Sequence, residues 1–216
     1  MDDLALAIPA AVRARRTKLA AALGDRAALF FAGQAPPRNY ADATYPFRAS
    51  SHFLYFAGLP IERAVLRVHG DDHALYVEPP GPGDALWHGP QPGPEAIAEA
   101  VGCSVRPLAE LSGAGAATLA AVAPATRAIQ AEVLGRPVTP PTAADEALAD
   151  AVIALRLVHD AAAIAGLREA AEGTAAAHRA GMAATRPGRR EFHVRAAMEA
   201  AMIERGMSPA YGSIVT

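Results

Sequence analysis

The chain carries a single cysteine, Cys103, in 216 residues. No intramolecular disulfide can form, and no cysteine-based metal cluster either. The first residues show no basic segment followed by a long apolar run, so no secretory signal is expected. The longest uncharged stretch, residues 111–126, is rich in small side chains and too short to span a bilayer. Net charge is only -2, with acidic and basic residues interspersed, so neither an acidic polymer nor a nucleic acid is implied as a partner. Only Lys18 among the twenty basic residues is a lysine, which together with the abundant alanine reads as coding bias. What remains is a soluble, cytoplasmic protein of one to two domains, with no membrane partner.

Aromatics are scarce as well, at 6%. Five of them nevertheless fall within residues 45–56, in Tyr45-Pro-Phe-Arg-Ala-Ser-Ser-His-Phe-Leu-Tyr-Phe-Ala-Gly58. Aromatic side chains bury large areas, so the first core is expected to condense here. The run Phe53-Leu54-Tyr55-Phe56 reads as a buried strand ended by Gly58-Leu59-Pro60. Arg48 sits inside the apolar run. A buried arginine needs an acidic or carbonyl partner, so it is either a structural clamp or part of a site.

In chain order, Pro9–Leu23 reads as a helix with Val12, Leu19 and Leu23 on one face and Arg13, Arg15, Arg16 and Lys18 elsewhere. Such a helix could lie on a membrane, but its apolar stripe has little bulk and suits the cover of a sheet. Residues 27–32, 64–69 and 74–78 read as strands, the last two joined by a turn at Gly70-Asp71-Asp72. His69, Asp71, Asp72 and His73 are metal-ligand types, yet a polar hairpin tip needs the same residues. Residues 79–94 read as a long loop holding Trp87, the seed of a small local core or a contact surface, and residues 94–101 as a short helix. A helix is expected over 108–122, an edge strand over 128–132 and a proline-rich connector over 136–142. A further helix over 144–157 carries Leu148, Val152 and Leu155 on one stripe.

Asp160 is a good N-cap for a helix over 161–185. Its expected inner stripe is Ile164, Leu167, Ala171, Ala175, His178 and Met182, with Gly166, Gly173 and Gly181 allowing close approach of a neighbour. His178 is read as a hydrogen-bonded core histidine rather than a metal ligand. Pro187-Gly188 stops this helix, another covers 190–205, and a strand starts at Tyr211. Periodicity alone yields an α/β fold with one main domain.

The segment Asp42-Ala-Thr-Tyr-Pro-Phe-Arg-Ala-Ser-Ser-His-Phe-Leu-Tyr-Phe-Ala-Gly58 resembles the signature of the amino-terminal domain of Xaa-Pro aminopeptidases, the aminopeptidase P family. Every fixed position of D-x-x-Y-P-[FY]-R-x-x-S-x-F-x-Y-[FL]-x-G is matched, while His52 stands where the family has a polar, often acidic, residue. Ala177-His178, Pro187-Gly188, Glu191 and Tyr211-Gly-Ser-Ile-Val215 are similar to the opening of that family's pita-bread catalytic domain.

The resemblance implies a mixed sheet flanked by helices over residues 1–158, then an incomplete α+β pita-bread domain over 159–216. It implies release of an amino-terminal residue that precedes proline, with a proline-containing peptide as substrate and two manganese ions as cofactor. It implies a homo-oligomer in which Trp87, in a W-x-G segment with Gly89, borders substrate in trans, and in which Tyr211 lines the active site. In the family every metal ligand follows the Y-x-S-I-V strand, so no catalytic residue and no metal ligand is assigned here. The 216 residues are expected to be a truncated, inactive portion of the enzyme. The alternatives are a non-catalytic assembly or regulatory protein that keeps the amino-terminal domain, and a fragment of a prolidase-like or creatinase-like hydrolase.

Overall fold

The computed structural model describes residues 9–40, 43–81 and 83–215, the side chains of Pro9, Trp87 and His88 excepted. The chain divides into two compact units, Met1–Val158 and His159–Thr216.

In the first unit, every residue of strand β1 (Ala28–Phe31) is buried, because both faces of the sheet are covered. β2 (Val65–Val68) and β3 (Ala74–Val77) run antiparallel, joined by the turn in which Asp72 N–H donates to His69 C=O. β4 (Ser104–Pro107) lies parallel to β3, and β5 (Ala117–Thr118) parallel to β1. The resulting mixed sheet has the order β4-β3-β2-β1-β5. Phe30, Leu66, Val68 and Leu75 point to one face, where α1 (Pro9–Leu23), α2 (Ser51–Ala57), α4 (Pro94–Val101) and α6 (Ala143–Arg156) contribute to the core. Leu29, Phe31, Val65 and Tyr76 point to the other, against Leu134 of α5 (Pro124–Leu134) and Val138.

Four of the elements expected in this unit need correction. Residues 53–56 are helical, not a strand: Phe53, Phe56 and Ala57 bury one side at spacings of three and four, and Gly58 ends the helix at φ +83°. Residues 128–132 are the middle of α5, which starts on Pro124 and ends at Gly135 with φ +63°. Residues 108–122 form a 3-10 turn (Leu108–Glu110) and then β5, not a helix. The expected loop over 79–94 holds a short helix, α3 (Asp84–His88).

Gly113 marks where this segment passes directly against α5. A Cβ there would collide with the backbone carbonyl of Val133 in α5, a group that no rotamer change can move. Gly113→Ala is therefore expected to cost about 1–3 kcal/mol through overpacking. Urea denaturation of the variant against the parent chain is the check. An unchanged midpoint would mean that the segment shifts freely.

The second unit is built on α7 (Ala161–Ala184) and α8 (Glu191–Ile203). Asp160 caps α7 by accepting from Ala163 N–H at 2.8 Å. The buried face of α7 is Gly173, Ala177 and Gly181, not the expected stripe. Ile164, Leu167, His178 and Met182 are exposed. Small residues win because Val194 and Met198 of α8, and Met207 beyond it, press directly on the α7 backbone. A Cβ on Gly181 would lie 2.8 Å from Met198 Cγ. His178 is thus neither a core histidine nor part of a ligand cluster. Residues 211–215 form no strand, since no described segment pairs with them.

Candidate functional site

The aromatic segment is the hub of the first unit, and arginines fix it. Leading into it, Ser50 N–H donates to Ala32 C=O at 2.9 Å, which pins the start of α2 beside the end of β1. A helix leaves its last carbonyls without partners. At the far end of α2, Arg15 donates to Tyr55 C=O at 3.0 Å and Arg16 to Phe56 C=O at 2.8 Å. Arg16 also donates to Val101 and Gly102 C=O, at 2.7 and 3.0 Å, where α4 ends. One guanidinium thus serves the negative ends of two helices. Arg16 is 0% exposed, contrary to its expected place on the outer side of α1. It completes the stripe Val12, Arg16, Leu19, Leu23 at spacings of three and four. Burial pulls its pKa below the ordinary arginine value, and Arg13 adds to this against the influence of Cys103.

The opposite side of α2 meets the last turn of α6. Arg156 Nη1 lies 3.1 Å from His52 Nδ1, and Tyr55 O–H donates to Leu155 C=O at 3.3 Å. The Tyr55 ring is flanked by Arg15 at 4.2 Å and Arg156 at 5.2 Å. Arg156 has only donors, so His52 Nδ1 accepts and the ring is neutral with its proton on Nε2. Burial and then the Arg156 charge lower the His52 pKa from its ordinary 6.5. A histidine lowered in the folded state contributes stability above its unfolded pKa, and that contribution is lost as pH falls through the lowered value. Unfolding free energy is therefore expected to drop as pH falls from about 7 to about 5, and His52→Gln to flatten part of that slope. Urea denaturation across this range checks it. An identical slope in the variant would remove His52 from the account.

Between the carboxyl ends of β1 and β5 lies a cavity of about 430 Å³. Its floor is β1 with Ala32, Gly33 and Gln34, one wall is Arg48 with Ser50, Ser51 and His52, and the other is residues 119–123 with Thr126 and Gln130. Arg48 is exposed rather than buried, whereas Arg16 is fully buried. The second wall is held by a buried polar network. Gln130 donates to Thr118 Oγ1 at 3.2 Å and to Leu119 C=O at 2.9 Å, and accepts from Ala121 N–H at 2.9 Å. Thr118 Oγ1 donates in turn to Leu29 C=O at 2.9 Å.

Asp145 anchors β5 from below. Its Oδ1 accepts from Thr118 N–H at 2.8 Å and Arg136 at 2.7 Å. Its Oδ2 accepts from Thr142 N–H at 2.9 Å and Thr142 O–H at 2.8 Å. Burial pushes this carboxyl up, but the Arg136, Thr118 and Thr142 bonds outweigh it and hold the pKa at about 2.

Other sequence candidates fall elsewhere. Trp87 lies on α3, and its side chain is outside the described residues. Tyr211 belongs to the second unit and is 77% exposed. Asp72 pairs with Arg67 at 3.1 Å and Arg106 at 3.3 Å, and His69 Nδ1 lies 3.1 Å from Arg67, so the hairpin tip is an ion-pair network. Among the described residues, no three His, Cys, Asp or Glu side chains are grouped to hold a metal ion. None of the described helices is long and apolar enough to cross a membrane. α1 covers the sheet, with its apolar stripe buried against it. Arg16, Gln130, Asp145 and Arg156 were not legible as positioning residues, although Asp145 stands three residues after Thr142, the spacing of a capping box.

Residues 12–124, more than half of the chain, match the family model described as aminopeptidase P, N-terminal domain. No curated protein matches the chain. The structure of the Pseudomonas aeruginosa aminopeptidase PepP is similar at a TM-score of 0.75 and 25% identity, over 97% of this chain and 52% of that one. Proline aminopeptidase P II from Yersinia pestis is similar at a TM-score of 0.73 and 24% identity, over 92% of this chain and 50% of that one. The zinc-substituted E. coli aminopeptidase P in complex with product gives 0.64 and 23%, with the same coverage of 92% and 50%. The chain spans about half the length of these structures.

Proposed function

Since the chain belongs to the aminopeptidase P family through its N-terminal domain, we propose that it serves an Xaa-Pro aminopeptidase, which releases the amino-terminal residue preceding a proline. The match of residues 12–124 to that domain carries the reading. Similarity to family structures across 97% of the chain, into the second unit, supports it. So does the motif at residues 42–58, which builds α2 and the turn at Gly58.

The family chemistry calls for a pair of divalent metals, here assigned as manganese, that activate a water and polarise the scissile carbonyl. One family structure is of a zinc-substituted enzyme, which supports metal dependence. The described residues do not fit such a pair, since they hold no cluster of three or more ligand side chains. In this reading they supply the scaffold, and the 216 residues alone are inactive. A peptide substrate, a homo-oligomeric assembly with Trp87 and Tyr211 near substrate, and a cytoplasmic location complete the proposal.

The test has two arms. Purified 216-residue chain with manganese is expected to release no residue from a peptide with proline second. The protein captured from its own cells through these residues is expected to release that residue in a chelator-sensitive manner. Capture without such activity would overturn the enzyme reading and favour a non-catalytic assembly protein.

A further inference from the structure

We propose that the crevice between α5 and the sheet, lined by Phe31, Arg63 and Glu78, binds a free α-amino acid with an aliphatic side chain. The crevice holds about 220 Å³. Pockets for drug-sized ligands hold roughly 300–1,000 Å³, so the occupant here is a smaller metabolite. Phe31 ends β1, Arg63 and Ala64 lead into β2, and Glu78 follows β3. Thr126 and Ile129 of α5, with Leu108, line the rest. Phe31, Ala64, Leu108 and Ile129 give the crevice its apolar surface.

Two opposite charges stand at this apolar surface. Arg63 lies two residues before Val65 and Glu78 two after Tyr76, and Val65 and Tyr76 are cross-strand partners on the face packed against α5. Arg63 Nη1 donates to Glu78 Oε2 at 3.3 Å. Among the described residues, neither side chain makes a further hydrogen bond or ion pair, and these two are the charged members of the lining. They are 59% and 57% exposed, so the pair contributes little to the fold. It is nevertheless presented at a backbone cost. Arg63 is held at φ +59°, a conformation that glycine adopts freely and arginine does not, and its N–H donates to Gly33 C=O at 2.8 Å. Strain of this kind gathers at ligand sites.

Because Arg63 and Glu78 already partner each other, an occupant must satisfy both charges at once. A lone anion would have to displace Glu78, and a lone cation Arg63. An α-amino acid carries both charges on one carbon, a spacing that matches a pair 3.3 Å apart. Its carboxylate accepts from the guanidinium donors that Glu78 leaves unused, and its ammonium donates to Glu78 Oε1. Its aliphatic side chain then lies against Phe31, Leu108 and Ile129. This site is independent of the aminopeptidase reading.

The experiment is an amide-shift titration of the full 216-residue chain at matched ionic strength. L-leucine is expected to give saturable shifts at residues 33–34, 63–64 and 126–129. Three analogues each remove one feature: glycine lacks the apolar body, 4-methylpentanoate the ammonium and leucinamide the carboxylate. Each is expected to bind at least about tenfold more weakly than leucine. Glu78→Gln and Arg63→Gly should each weaken leucine binding by about tenfold or more. Arg63→Gly should do so with an unchanged or higher urea midpoint, because glycine relieves the left-handed backbone. Arg195→Gln, which breaks an exposed pair with Glu199 in the second unit, should leave affinity unchanged. No saturable shift with leucine, or equal binding of any one analogue, would overturn the proposal. So would leucine affinity that survives both variants, or an Arg63→Gly chain with a lowered midpoint and unchanged affinity, which would make the pair structural.

Discussion

Arg16→Met is expected to cost the first unit about 3–5 kcal/mol, a large share of the stability of a domain this size. The reason lies in what the guanidinium serves. Phe56 C=O closes α2, and Val101 and Gly102 C=O close α4, with donor distances of 2.7 to 3.0 Å. Methionine fills much of the volume but leaves three carbonyls without this donor, those of Phe56 and Val101 buried and that of Gly102 partly buried. Each orphaned group costs on the order of 1–3 kcal/mol, partly recovered by relaxation. The charge itself is costly to bury, so a wholly apolar replacement of all partners could be neutral, but a point substitution cannot replace backbone. Arg16→Lys should recover only part, because one ammonium cannot span two helix ends as a fork does. Urea denaturation read through amide exchange of β1 to β3 gives the size of the effect. Exchange in the last turns of α2 and α4 gives its location. A loss below about 1 kcal/mol would show that these carbonyls find water instead.

The same residue shows why part of the fold was hidden from sequence reasoning. α1 was legible at both ends, because Pro9 opens it and Gly24 closes it at φ +60°. Arginine is a surface residue in almost every context, so Arg16 was read as solvated although its spacing to Val12 and Leu19 is that of the buried stripe. The aromatic run misled in another way. Four apolar residues in a row fit a strand and a buried helix equally well, and only the flanks decide. Ser50 before the run and Gly58 after it, with Phe53, Phe56 and Ala57 buried between, spell a short helix. The residues 128–132 hid a helix for the same reason, with Pro124 and Gly135 as the overlooked signals. β4 and β5 escaped because Ser104-Val-Arg-Pro107 and Ala117-Thr118 lack the apolar runs that mark β1 to β3, and their pairing with β3 and β1 is set by tertiary contact. The cavity followed suit: Arg48 and His52 sit in the motif, but the wall facing them comes from a segment that was read as helix.

Asp145→Asn is expected to destabilise the first unit by about 2–4 kcal/mol and to remove its acid-sensitive limb. The carboxylate is 4% exposed and receives four hydrogen bonds, two on each oxygen. Asparagine keeps the shape and one acceptor. Its amide nitrogen must then face either the Thr142 donors or the Thr118 and Arg136 donors, and donor meets donor. It also deprives Arg136 of its ion-pair partner at 2.7 Å. The pH dependence separates this account from simple loss of packing. The folded pKa of about 2 lies below the ordinary 3.8, so between these values the unfolded chain binds more protons. The stabilisation is complete above about pH 4 and is lost as pH falls through about 2. Parent chain and variant should therefore differ most near neutrality and converge at low pH. Urea denaturation at several pH values between about 2 and about 6 tests both statements. Curves that stay parallel throughout would mean that Asp145 acts by shape alone. Because Thr118 continues into residues 119–123, the same variant should also loosen the cavity wall, seen as faster amide exchange there.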